Sequence, residues 1–329
     1  MPQRPSRRNL SVQRLLGLAR QRFATDPSWR FFRDVGLLIW EYKWFSLTII
    51  AVTIFQEFAA LWPVNLLGQF VDRLETGDLG NTVWLLFGAS LFYPGLARAN
   101  VILRHVMFYN ADFDKRVEMI VAAGDEGYAT DLEAAGAAHT RIVNAVSGIT
   151  NTMYHVLGSF TPVIIKVIIV SGRLLGYNRM LGWVYLASLV LPAVLTIIFN
   201  RVLRVLLDSQ YSVIGAVTGS GIKTISEREN TDARTRFLES MRTRRHVLNS
   251  LLARSQTFIY IREAMLVGSQ FLVVFLALAM REELSITPGD FTRIIGYTAQ
   301  VGAAFINAAA NLDNIVSYSR AYHVFALRK

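Results

Sequence analysis

The stretch GAVTGSGIKTISERENT, Gly215 to Thr231, sets three glycines, a lysine and a threonine in nearly the order of a phosphate-binding loop. A working loop of that kind wraps phosphates in successive backbone N–H groups and needs its lysine directly after the last glycine. Ile222 separates Gly221 from Lys223. That aims the lysine off the cradle, so the spacing speaks against a nucleotide site. Thiol chemistry is excluded because the chain has no cysteine. The five histidines, His105, His139, His155, His246 and His323, lack ligand spacing, and no metal site is expected.

What remains is polar chemistry inside apolar surroundings. Glu57, beside Gln56, and Lys166 are charges within strongly apolar runs. A charge at the centre of a bilayer costs about 2.5 kcal/mol or more on insertion scales, which makes each a functional candidate. Two readings stand: the two pair with each other, or Glu57 faces a cavity, where it selects a cationic substrate or carries a proton. Gln300, Asn307, Asn311 and Asn314 follow one another at helical spacing and form a stripe with Ala304 and Tyr318. An amide is not left unsatisfied in hydrocarbon. The stripe therefore either lines a substrate pathway or ties helices together, the latter helped by the small residues Gly302, Ala303 and Ala308 to Ala310.

The elements that must position these residues are membrane helices. Of 329 residues, 53% are hydrophobic and 18% charged, with a mean hydropathy of +0.34, too apolar for an ordinary soluble domain. The net charge of +10 sits in segments flanking the apolar runs, as in the cytoplasmic loops of membrane proteins, and no nucleic-acid partner is expected. Residues 1–43 read as a basic cytoplasmic N-terminus without a cleavable signal peptide. It closes in an amphipathic elbow helix that opens at Asp26 and Pro27 and lays Trp29, Phe31, Phe32, Trp40 and Tyr42 at headgroup level. Residues 44–329 read as an all-α membrane domain. Its six spans lie near 44–67, 83–103, 156–175, 181–206, 264–280 and 291–316, each matched to the ~20 helical residues a bilayer needs.

Six crossings bring both termini to one side, and the arginine-rich segment between spans four and five makes that side cytoplasmic. The loops after spans one, three and five are short, whereas long segments separate spans two from three and four from five. Those segments have few prolines and regularly placed apolar residues. They read as helices continuing past the bilayer, two helical cytoplasmic extensions.

This layout resembles the transmembrane domain of the exporter-type ATP-binding cassette (ABC) transporters: six long helices, two intracellular extensions and a surface elbow helix. Local motifs agree. Pro63, Leu66, Leu67, Gly68 and Asp72 in WPVNLLGQFVDRL are similar to the family's exit from the first span. GAAHTRIVNAV, with Gly136, Arg141, Ile142, Asn144 and Val146, resembles a motif of the first extension, with Ala145 where the family has aspartate. GIKTISERENTDARTRF resembles the start of the return to span five, LSITPGDFTRIIGY the turn between spans five and six, and SRAYHVFAL the end of the sixth.

The resemblance covers about residues 28 to 327, in order. It implies a domain-swapped dimer in which two such halves line one pathway. It also implies coupling helices at the tips of the extensions, near Asp125 to Gly136 and Asp208 to Gly219, docking into nucleotide-binding domains. Asp131, Glu133 and Arg141 in the first extension, and Gln210, Tyr211 and Lys223 in the second, are then the docking residues. The alternative is that both tips are solvated. The opening glycine stretch, on this reading, lies beside the docking site and never touches ATP.

Through Lys329 the sequence holds no Walker A, signature or Walker B motif. ATP and Mg are therefore expected on a partner nucleotide-binding subunit or domain, and no catalytic residue is expected in this chain. The leading expectation is a permease subunit that forms the translocation pathway and works by alternating access. Its partners are an ATPase, a second transmembrane half and the bilayer, and its location is the plasma membrane, the bacterial inner membrane. Two alternatives remain: a proton-coupled, peptide-type secondary transporter on the same scaffold, and a non-transporting membrane anchor or regulator.

Overall fold

Every regular element among the described residues is a helix. The computed structural model describes residues 27–74, 80–125, 132–199 and 231–326, together with Gly77 and Val217. In chain order these form α1 (Pro27–Glu41), α2 (Lys43–Leu74), α3 (Thr82–Asp125), α4 (Leu132–His155), a π-helical turn (Val156–Phe160), α5 (Thr161–Tyr177), α6 (Arg179–Phe199), α7 (Thr231–Ala279) and α8 (Pro288–Ala326). Five stretches are long and apolar enough to cross a membrane: α2, α3, Ile142–Tyr177, α6 and α7. The sixth expected span lies in α8, helical over 39 residues. It lacks a window as apolar as the other five, because Thr298, Gln300, Asn307, Asn311 and Asn314 interrupt it.

The helix ends follow from local chemistry. Asn178 alone separates α5 from α6: its backbone is extended, and its N–H closes α5 on the Leu174 carbonyl at 3.0 Å. Its side-chain oxygen accepts the Met180 N–H at 2.6 Å and caps α6. A capping box opens α8, with Pro288 in the first helical position. Thr287 Oγ1 accepts the Asp290 N–H at 3.0 Å, and Asp290 Oδ2 accepts the Thr287 N–H at 3.4 Å. Pro162 has no N–H to give its helix, and the turn before it widens so that the Thr161 N–H reaches back to the Val156 carbonyl.

Contacts divide the chain into two compact units, one of residues 48–103 and 155–317, the other of residues 1–47, 104–154 and 318–329. These boundaries fall close to the span ends expected from the sequence. In the first unit the core gathers Leu61 of α2, Leu174 of α5, Tyr185 of α6, Val273 of α7 and Ile294, Tyr297 and Val301 of α8. Along α2, Ala60, Val64, Gly68 and Asp72 meet Gln300, Gly296, Arg293 and Gly289 of α8 in that order. One helical stripe pairs antiparallel with another. A Cβ on Gly289 would lie 2.2 Å from the Gly68 carbonyl oxygen, and one on Gly296 would lie 2.6 Å from Val64. The backbones approach there as only small residues allow.

In the second unit, α1 turns Phe31, Val35 and Leu38 inward and leaves Trp29, Phe32, Leu37 and Trp40 exposed, the two-faced pattern of a surface helix. Phe31 packs on Tyr322 with ring centroids 5.4 Å apart. Tyr322 also donates its hydroxyl to Asp34 Oδ2 at 2.5 Å. At the elbow, Tyr42 donates to Asp114, and Lys115 pairs with Glu41 at 3.0 Å. Burial, and then the bond to a carboxylate, raises the pKa of both phenols. Each stays a donor at neutral pH.

Candidate functional site

Thr53, Gln56, Glu57 and Ala60 recur at helical spacing on one face of α2. Each offers a polar atom to another element of the same unit. Asn100 of α3 donates its amide to Thr53 Oγ1 at 3.0 Å and to Gln56 Oε1 at 2.6 Å. Gln56 Nε2 in turn reaches Glu57 Oε1 at 3.5 Å. Lys166 Nζ of α5 lies 2.9 Å from Glu57 Oε2. One turn further along, Gln300 of α8 donates to the Ala60 carbonyl at 2.8 Å. The result is a polar chain linking α2, α3, α5 and α8 inside helices that are otherwise apolar.

The part of this chain formed by Thr53, Gln56, Glu57, Asn100 and Lys166 is closed to solvent. Glu57 is 2% exposed, Asn100 1% and Lys166 8%. A lone ion in such a place is strongly unfavourable, and a partner offsets the cost of stripping it of water. Of the two readings of Glu57 and Lys166, the structure thus brings the two together. Such a pair can hold or exchange a proton, release one partner when helices shift, or fix α2 against α5.

The amide stripe of α8 divides. Gln300 faces α2, and Asn311 donates to Ser159 Oγ at 2.9 Å and to the Asn307 carbonyl at 2.9 Å. Ser159 belongs to the π-helical turn, a local widening often found at functional positions. Asn307 and Asn314 are exposed on the surface of the chain. Two amides therefore tie helices together, and two point away from them.

The expected docking residues are described only in part. Glu133 and Arg141 lie on the backbone of α4. Asp131, Gln210, Tyr211 and Lys223 lie outside the described residues, as does the stretch from Gly215 to Asn230 apart from Val217.

Sequence reasoning missed Asn100 and Thr53. An amide midway along an apolar run carries the same signal as Glu57, because hydrocarbon offers it no partner. It also missed a second cluster near the start of α8. There Arg293 bridges Asp72 Oδ2 at 3.2 Å and Asp290 Oδ1 at 2.5 Å, while the Gly289 N–H donates to Asp72 Oδ1 at 2.8 Å. Burial alone would raise the Asp290 carboxyl. The Thr287 hydroxyl and N–H, together with Arg293, outweigh it and hold the group below its ordinary value.

Comparison with known proteins adds no relative: no family model matches the chain, and no curated protein matches it.

Proposed function

We propose that the chain is the membrane-spanning permease half of an exporter-type ABC transporter, with the ATPase on a separate domain or subunit. One observation carries this reading. Residues 1–47, the far half of α3 with α4, and the last turns of α8 form a single compact unit, held by Tyr42 on Asp114 and Tyr322 on Asp34. A unit rich in exposed ion pairs belongs in water on one face of the bilayer. Helix α1 and the last turns of α8 both belong to that unit, so the helices between them cross an even number of times, and five apolar helices among the described residues are an odd number. On this reading α8 is the sixth span, and its amides find partners in Ala60 and Ser159 rather than lipid.

Helix length supports the same layout. At about 1.5 Å per residue, the 44 residues of α3 and the 49 of α7 far exceed the ~30 Å of hydrocarbon. The excess forms the two cytoplasmic extensions, whose tips meet the ATPase. Two such halves pair in the membrane, and the exposed Asn307 and Asn314 face the shared pathway. The apolar window of α3 is only 11% buried within the chain, so most of it is left for lipid or a second half to cover.

The test is purification of the full chain from its host membranes. The expected result is a co-purifying ATPase, with N307C and N314C changing in thiol labelling when ATP is added; no other thiol interferes. A purified homodimer that transports without any ATPase would overturn the proposal. The buried Glu57–Lys166 pair favours a second reading, a proton-coupled secondary transporter on the same scaffold. That reading requires Glu57→Gln to abolish uptake driven by a pH gradient, and unaffected uptake would remove it.

A further inference from the structure

A groove of about 640 Å³ runs between α2 and α3, and its lining changes character along its length. Near the helix ends it presents Asn65 and Gln69 of α2, Arg173 near the end of α5 and Arg293 near the start of α8. Deeper along the same helices it is aromatic, where Trp62 stacks on Phe92 with ring centroids 6.0 Å apart. Asn65 Oδ1 already accepts the Tyr297 hydroxyl, so what that amide can still offer is its NH2 group. Arg293 gives part of its guanidinium to Asp72 and Asp290. Arg173 is exposed and makes no ion pair with a carboxylate among the described residues.

The mouth is thus rich in donors and the interior is apolar. We propose that the groove binds an anionic phospholipid, its phosphate at Arg173 and Asn65 and the upper part of its chains along Trp62 and Phe92. Phosphate oxygens accept the mouth's donors in charge-assisted bonds, and the outward exposure of Trp84, near the start of the second lining helix, suits a ring at the boundary between headgroups and chains. The volume takes a headgroup and the start of the chains, leaving the chain ends in the bilayer. At Gly88, on the groove wall, a Cβ would meet nothing within 4 Å, so the space beside it is open to an occupant. The proposal rests on the membrane reading alone and is independent of any ATPase.

The test uses the full chain with one added cysteine, Gly88→Cys, labelled with an environment-sensitive fluorophore and reconstituted in phosphatidylcholine nanodiscs. Nitroxide-chain phosphatidylglycerol is titrated against nitroxide-chain phosphatidylcholine, and quenching is read. A single arginine near a headgroup confers roughly fivefold preference for the anionic lipid, and that preference is the expected result. Arg173→Gln should erase it, while Arg173→Lys should keep most of it, with unchanged melting temperatures showing that both variants fold. Equal quenching by the two lipids, or a preference that survives Arg173→Gln, overturns the proposal. So does displacement of the preference by inorganic phosphate, which marks a free-anion site. Quenching by neither lipid, together with crosslinking of Gly88→Cys between two chains, also overturns it and assigns the groove to a second copy.

Discussion

The chain uses one kind of contact, a carboxylate against a cation, in two very different settings. In the unit of residues 1–47, 104–154 and 318–329, Lys115 bridges Glu41 at 3.0 Å and Glu118 at 2.6 Å, with the two glutamates 52% and 63% exposed. In the unit of residues 48–103 and 155–317, Glu57 and Lys166 stand at 2.9 Å with side chains 3% and 10% exposed. Distance does not separate the two; solvent does. Water solvates either partner of an exposed pair when the other is lost, and salt screens the attraction, so such pairs contribute about 0–1 kcal/mol. A buried pair gives its survivor no such refuge. The same bond is a minor ornament in one unit and a constraint on helix packing in the other.

That contrast can be broken first at Glu57. Glu57→Gln strands the Lys166 charge, and removing one partner of a buried pair costs about 3–5 kcal/mol. The double variant Glu57→Gln with Lys166→Met should recover most of the loss in thermal unfolding. No recovery would mean that the pair is not coupled. Next, Gly289→Ala places a Cβ 2.2 Å from the Gly68 backbone oxygen, whereas Gly148→Ala in the other unit meets the Tyr318 carbonyl oxygen at 3.3 Å. Overpacking costs about 1–3 kcal/mol, so the first should destabilise clearly and the second little; equal melting temperatures would refute the close approach of α2 and α8.

A third variant, Asn100→Leu, removes the amide joining Thr53 and Gln56. Leaving such partners unmatched costs about 1–3 kcal/mol, and Asn100→Asp should not rescue it, because a carboxylate accepts hydrogen bonds and lacks the NH2 group that Asn100 gives to Thr53 and Gln56. Asp290 brings in pH. Its carboxyl is held below its ordinary value in the folded chain, so it adds stability above the ordinary carboxylate range. That stability fades as pH falls through the lowered value. The gap in melting temperature between the wild type and Asp290→Asn should be steady at neutral pH and close in acid. The smallest effect is expected at Lys115→Met: at most about 1 kcal/mol, vanishing in high salt.

Much of the fold was legible because bilayer crossing leaves a strong compositional trace. Among the described residues, five apolar runs of span length lie in helices, and α1 begins at the proline after Asp26. Legibility was lower for α8: the sequence offers it as a sixth span, yet its amides keep it below the hydropathy of the other five, and only the structure gives Gln300 and Asn311 their partners Ala60 and Ser159. Glu57 and Lys166 stood out singly, since each is costly in hydrocarbon. That they meet did not, because a separation of 109 positions along the sequence carries no distance information. Asn100 was overlooked for a simpler reason: a neutral amide disturbs hydropathy less than a charge, although its need for a partner is similar in kind.

The sequence by itself determined that this is a helical chain made for a membrane. Periodicity and transfer free energy are properties of segments, and each segment carries them wherever it folds. Only the tertiary structure decided that Glu57 faces Lys166 and that α2 and α8 approach through Gly68, Gly289 and Gly296. It alone showed that Asn311 ends at a serine on a π-helical turn, and that the amide stripe splits between bonded and exposed members. Pairing depends on which faces the packing turns toward each other, and that choice is made by many weak contacts acting together rather than by any one residue.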